Sequence, residues 1–173
     1  FQENTTGIIG IVTAEDSDDD EITFSVSGTD ASYVDINSDG EVRLLSSADY
    51  ETKDSYTFDV TASDGELSDT KTVTVNVTDV NEVSNITSSE TGSVEENADI
   101  TTIIYDAEAT DPDGDTLTYA VSGTDASYVE IDEDDGEVRL LSSADYETKD
   151  SYTFDVTASD GELSDTKTVT VNV

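Results

Sequence analysis

Cysteine, methionine, tryptophan and histidine are absent from this 173-residue sequence, and proline occurs once. Without cysteine there is no disulfide framework and no thiolate metal site. Without histidine, Ser-His-Asp and Cys-His catalytic arrangements are excluded within the chain. Basic residues are scarce: six Lys and Arg face 43 Asp and Glu, a formal net charge of -37. Such a chain repels itself in its compact state unless counter-ions intervene, and it carries the wrong sign for nucleic acid. No run is long or apolar enough for a membrane span, and none reads as a signal peptide. The hydrophobic share is 34%, which supports thin cores better than one large one.

What is present is a repeat. Residues 39–77 are identical, letter for letter, to residues 135–173, and VSGTDASYV at 26–34 returns at 121–129. One residue is inserted where DINSDG becomes EIDEDDG. All six basic residues obey the repeat: Arg43, Lys53 and Lys71 match Arg139, Lys149 and Lys167. A fixed period of about 95 residues marks two copies of a domain-sized unit rather than solenoid blades. The chain opens on Phe1 and stops at Val173 in mid-pattern, so it reads as a piece of a longer array.

Each unit reads as all-β. In SYTFDVTAS, Tyr56, Phe58, Val60 and Ala62 alternate with Thr57, Asp59 and Thr61, the period of a half-buried strand. KTVTVNV sends Val73, Val75 and Val77 to one face, and IIGIV, ITFSVS and EVRLL supply further short runs. Turn signals such as SGTD, Asp39–Gly40 and SDGELSD separate them. About seven short strands per unit predict a Greek-key β-sandwich. The expected division is 1–78, a linker at 79–83, and 84–173.

The acids fall in five groups. They are Glu3–Asn4 (copied at Glu96–Asn97), Asp49–Tyr50–Glu51 (Asp145–Tyr146–Glu147), Asp79-x-Asn81–Glu82, Asp111-x-Asp113-x-Asp115 (loosely Asp16, Asp18 and Asp20), and Asp64–Gly65 (Asp160–Gly161). Taken alone, a D-x-E pair could be an acid/base couple, a metal ligand set or surface charge. All five groups are expected in turns and element ends, none on an inward face. Hard oxygen ligands on loops, spaced two apart, suit Ca²⁺ better than Mg²⁺ or zinc. Tyr50 and Tyr146 are expected to plug the sandwich ends. The acids at Asp132–Asp135 resemble a small calcium loop, but read better as a solvated hairpin tip.

The order of these groups resembles the cadherin repeat, with a Glu–Asn near the start, a D-x-E in mid-domain, an acidic linker, then D-x-D and A-x-D-G in the next domain. The wording ATDPDGDTLTY, DYET and TDVNE is most similar to the cadherin-like repeats of very large bacterial, RTX-type surface adhesins. The resemblance implies two tandem Ig-like Greek-key sandwiches with several Ca²⁺ ions, commonly three, at their junction. Carried over by position, the ligands would be Glu3, Asp49 and Glu51; Asp79, Asn81 and Glu82 with the Val80 carbonyl; and Asp111, Asp113 and Asp160. Glu82 and Val83 depart from the family's usual Asp and Asn, which alters the expected shell of one ion. Glu96, Asp145 and Glu147, like Asp16, Asp18 and Asp64, would be half-sites.

The function so implied is a calcium-rigidified spacer in an extracellular, cell-surface adhesin. The chain would be a monomer whose partners are neighbouring repeats, with no nucleic acid and no membrane insertion. A binding module for glycans or for a like domain is the alternative, although the lack of Trp disfavours sugar stacking. An enzyme is not expected: Asp49 and Glu51, two apart on an extended segment, point the same way and cannot flank a glycosidic bond.

Overall fold

The computed structural model describes all 173 residues, which divide into two compact units, Phe1–Val80 and Asn81–Val173. In the first unit the strands are β1 (Ile8–Ile11), β2 (Thr23–Ser27), β3 (Val34–Ile36), β4 (Glu41–Leu44), β5 (Ser55–Ser63) and β6 (Ser68–Asn76). They form two three-stranded sheets, β1-β4-β3 and β2-β5-β6. The only helical structure in this unit is a three-residue 3-10 turn at Ala31–Tyr33.

The second unit carries β7 (Asn85–Ile86), β8 (Thr91–Ser93), β9 (Ile103–Asp106), β10 (Ala109–Thr110), β11 (Thr118–Ser122), β12 (Val129–Ile131), β13 (Glu137–Leu140), β14 (Ser151–Ser159) and β15 (Ser164–Asn172). Its sheets are β11-β14-β15-β8 and β12-β13-β9, with β7 and β10 paired separately. All pairings are antiparallel except β8 on β15, which is parallel.

The alternation in SYTFDVTAS holds in both copies. Tyr56, Phe58 and Val60 are buried, as are Tyr152, Phe154, Val156 and Ala158. The hairpins β5–β6 and β14–β15 pair nine residues each in matching register, placing Phe58 opposite Val73 and Phe154 opposite Val169. Their outward faces are polar ladders. Thr57 meets Thr74, Thr61 meets Thr70, and the Thr72 hydroxyl donates to Asp59 at 2.5 Å. Each unit has its own core: Val34, Val42, Leu44 and Val77 join the buried β5 residues in the first, and Ile86, Ile104, Tyr105, Val138, Leu140, Val169 and Val171 the β14 residues in the second.

Two buried acids lie outside the groups picked from sequence. Asp30 and Asp125 are 6% and 7% exposed. Each carboxylate accepts a strand N–H, from Thr57 or Thr153 at 2.7 Å, and pairs with Lys53 at 3.0 Å or Lys149 at 2.9 Å. The lysines lie over Tyr33 and Tyr56, and over Tyr128 and Tyr152. The N–H bonds from Thr57 and Thr153, then the lysines, hold both Asp pKa values below the usual range; the carboxylates hold both Lys values above theirs.

Candidate metal centres

In the first unit the acids gather where the β4–β5 loop meets the end of β6. Gln2 bridges Thr78 in parallel and the Glu3 N–H donates to the Thr78 carbonyl, which fixes Glu3 beside the departing strand. Asn4 then turns the chain through a left-handed conformation (φ 55°) and donates its N–H to the Ala48 carbonyl. Asn tolerates that region better than most residues, because its short amide bonds locally.

Glu3 is the correction to the expectation that no acid points inward: it is 1% exposed. Its Oε2 accepts the Tyr50 N–H and its Oε1 the Val80 N–H, both at 2.7 Å. Charge-assisted bonds to both oxygens are what let a carboxylate be buried here. One oxygen each from Glu3, Glu51 and Asp79 lie within 4.8 Å of one another. The Asp49 carboxylate is turned instead to its own loop, accepting from the Thr52 N–H at 2.9 Å and hydroxyl at 3.0 Å. Tyr50 is 36% exposed and Tyr146 54%, so neither plugs a sandwich end; the D-Y-E turn that offers its backbone N–H to Glu3 carries the Tyr50 ring outward.

In the second unit a different set assembles around the segment leading into β7. The Asn81 amide donates to Asp160 Oδ2 at 2.9 Å, and the Glu82 N–H donates to Asp113 Oδ2 at 2.8 Å. Asp160 Oδ1 accepts the N–H groups of Glu162 and Leu163, each at 2.6 Å. The Leu163 N–H, then the Asn81 amide, holds the Asp160 carboxyl below its ordinary pKa. Asp111 Oδ1 takes the Asp115 N–H at 3.3 Å. The other oxygens, Asp111 Oδ2 and Asp113 Oδ1, are buried and meet no donor. Val83 is half exposed and Glu82 partly buried.

Those two oxygens test whether a cation fits. A buried carboxylate oxygen with no donor costs on the order of 1–3 kcal/mol or more, and a positive ion is the partner that removes that cost. The donors present are all oxygens, in a chain with no His or Cys, which favours a hard ion of the Ca²⁺ type.

The repeated motifs are also placed. Asp16 Oδ1 caps the N–H groups of Asp18 and Asp20 at 2.8 and 3.2 Å, and Asp64 Oδ1 those of Glu66 and Leu67 at 2.7 Å. Glu96, Asp145 and Glu147 bring oxygens within 4.8 Å of one another, all exposed. The neighbouring Glu147 carboxyl pushes the Glu96 pKa above its usual value.

Across 98% of the chain the structure superposes on Drosophila N-cadherin EC1-4, with a TM-score of 0.69, 25% identity and 44% of that chain covered. Mouse cadherin-23 EC22-24 gives 0.66 at 27% identity, over 88% of this chain and 52% of that one. The fold is cadherin-like. Residues 90–173 match the cadherin domain family, and residues 1–78 match the bacterial Ig domain family. Among sequences, human protocadherin Fat 1 is 35% identical over 165 residues, covering 88% of this chain. Human cadherin-23 is 34% identical over 154 residues, or 85% of this chain. This cadherin-like chain spans only 4% and 5% of the lengths of those two proteins. No helix is long and apolar enough to cross a membrane.

Proposed function

We propose that the chain is a pair of calcium-stiffened spacer modules from a long extracellular adhesin, of the RTX-type bacterial class that its wording resembles. The observation that carries the reading is the donor-less burial of Asp111 Oδ2 and Asp113 Oδ1, alongside the convergence of Glu3, Glu51 and Asp79. Asp79, Val80, Asn81 and Glu82 are consecutive, so ligands of both sets are strung on one short linker, 79–83. Carboxylates on one hinge repel when empty and are bridged when filled, so ion uptake adds ordering free energy. Three ions is the number the resemblance implies, with Asp49 among the ligands it carries over.

The cadherin relatives support an adhesion-type extracellular repeat, and the bacterial Ig match of residues 1–78 supports a bacterial source. Extracellular calcium modules bind at about 10⁻⁴–10⁻³ M, so external calcium would fill these sites. The test is calorimetric calcium titration of the chain beside Glu51→Ala and Asp79→Ala. Saturable uptake weakened in both variants supports the reading; no uptake at millimolar calcium overturns it.

A further inference from the structure

In the second unit, residues 84–93 lie along β15 in the parallel sense. Thr91, Gly92 and Ser93 pair with Thr170, Val171 and Asn172. The Thr170 N–H donates to the Glu90 carbonyl and the Val94 N–H to the Asn172 carbonyl, both at 2.9 Å. Ahead of Glu90 two side chains of β15 continue the series. Asp165 Oδ2 accepts the Ile86 N–H at 3.0 Å, and the Lys167 ammonium donates to the carbonyls of Ile86 and Ser88 at 2.7 and 2.8 Å. Partners therefore rise together along both segments, from 86 against 165 to 94 against 172.

Asp165 and Lys167 sit on the row of β15 that continues as the buried Val169 and Val171. Both are partly covered. An ammonium in that row loses hydration, and the two carbonyls replace it with charge-assisted bonds. Direction then decides what the series can resist. Bonds between strands run across them, so pulling two parallel strands from opposite ends loads every bond at once. Pulling both from the same end loads one bond at a time. The chain enters this series at Ile86 and leaves it at Asn172, so tension carried along the chain is of the first kind.

We infer that this parallel series is a shear clamp that bears tension, and that Lys167 locks it. The backbone ladder of β8 is only three residues long; Lys167 and Asp165 prolong it to Ile86. The spacer role proposed above supplies the tension, while the clamp belongs to the second unit alone and needs no metal ion. Resistance to a pull follows the rate of unfolding rather than equilibrium stability. The Lys167 bonds raise that barrier because they must break before β8 can leave β15. A core side chain elsewhere in the unit contributes to stability without standing in the line of force.

The chain has no cysteine, so introduced thiols can carry the handles for optical tweezers. In the full chain, Asn85→Cys with Asn172→Cys pulls the series in shear, and Asn85→Cys with Ser164→Cys peels it from one end; all three positions are exposed. Lifetimes are read at constant force in chelator, with and without Lys167→Ala. Val138→Ala is the control, because it removes buried methyls from the other sheet. Both variants are also melted by calorimetry. The inference expects a sheared lifetime at least about tenfold longer than the peeled one. Lys167→Ala should shorten the sheared lifetime about tenfold, and by more per degree of melting point lost than Val138→Ala does. Equal lifetimes in the two directions overturn it, even where Lys167→Ala fails to fold. So does a sheared lifetime that Lys167→Ala shortens no more per degree than the control. Calcium is absent throughout, so a chain that took up no calcium would leave this result unchanged.

Discussion

Replacing Glu3 by alanine sets two opposed effects against each other. The loss is the acceptor for two backbone N–H groups, from Tyr50 and Val80, at about 1–3 kcal/mol each, or roughly 2–6 kcal/mol together. The gain is relief from Glu51 and Asp79, whose oxygens come within 4.8 Å. Both those residues are exposed, so a water-like dielectric applies and each repulsion is worth about 0.9 kcal/mol before salt screening. At about 0.15 M salt screening roughly halves that repulsion, so hydrogen bonding wins and Glu3→Ala destabilises the first unit by about 1–5 kcal/mol. For a unit of this size that lowers its melting temperature by roughly 4 °C or more. Glu96→Ala makes the contrast: that carboxylate is exposed and crowded by Glu147, so its removal leaves the second unit unchanged or more stable. The assay is differential scanning calorimetry in chelator at about 0.15 M salt, where screening is moderate. Equal shifts for the two variants, or a neutral Glu3→Ala, would refute the reasoning.

Asp113→Asn removes charge from a partly buried carboxylate whose Oδ1 is covered and meets no donor. In chelator its melting point should hold or rise, while calcium affinity read by calorimetry falls about tenfold or more. Asp125 has a depressed carboxyl and Lys149 a raised ammonium. Their mutual contribution is present above the unfolded Asp value near 3.8 and lost as pH falls through the lower folded value; on the alkaline side it is lost above about 10.5. Asp125→Asn should therefore flatten the acid limb of a urea-melt pH series and lower stability at pH 7. Gly40 sits at φ 77°, where an added Cβ would overlap the Val12 carbonyl oxygen, whereas Gly65, at φ 97°, faces open space. Gly65→Ala should cost about 1 kcal/mol and Gly40→Ala clearly more in chemical denaturation.

Strand character was readable because side chains on a strand alternate, and SYTFDVTAS alternates without a break; that pattern needs no knowledge of what lies across the sheet. The order of acidic groups was readable for the same local reason. What was hidden depends on contacts between residues far apart in sequence. Glu3 looks like a surface acid until Tyr50 and Val80, 47 and 77 residues away, are seen to donate to it. Asp30 looks like a turn residue until Lys53 and Thr57 close on it, although the strict repetition of both Asp30 and Lys53 in the second copy was a usable signal. Asp49 is grouped with Glu51 by the D-x-E motif of the resemblance, and what the motif does not show is that the Thr52 N–H and hydroxyl donate to its carboxylate. Tyr50 and Tyr146 misled because aromatic residues usually seek cover, and the turn they occupy gives them none.

The identical hairpins also bear on how the chain folds. Thr23–Ser27 pairs with β5 in the register that Thr118–Ser122 uses with β14, and the two partner strands carry the same letters. Either hairpin can therefore complete either neighbour, and a refolding chain has no chemical means to tell sister from self. What separates them is timing. Each nine-residue ladder closes over a four-residue turn, and such local closure outpaces a search across about 95 residues. Slowing that closure, for instance by placing proline within the ladder, should produce cross-paired, misassembled species that the unaltered chain avoids.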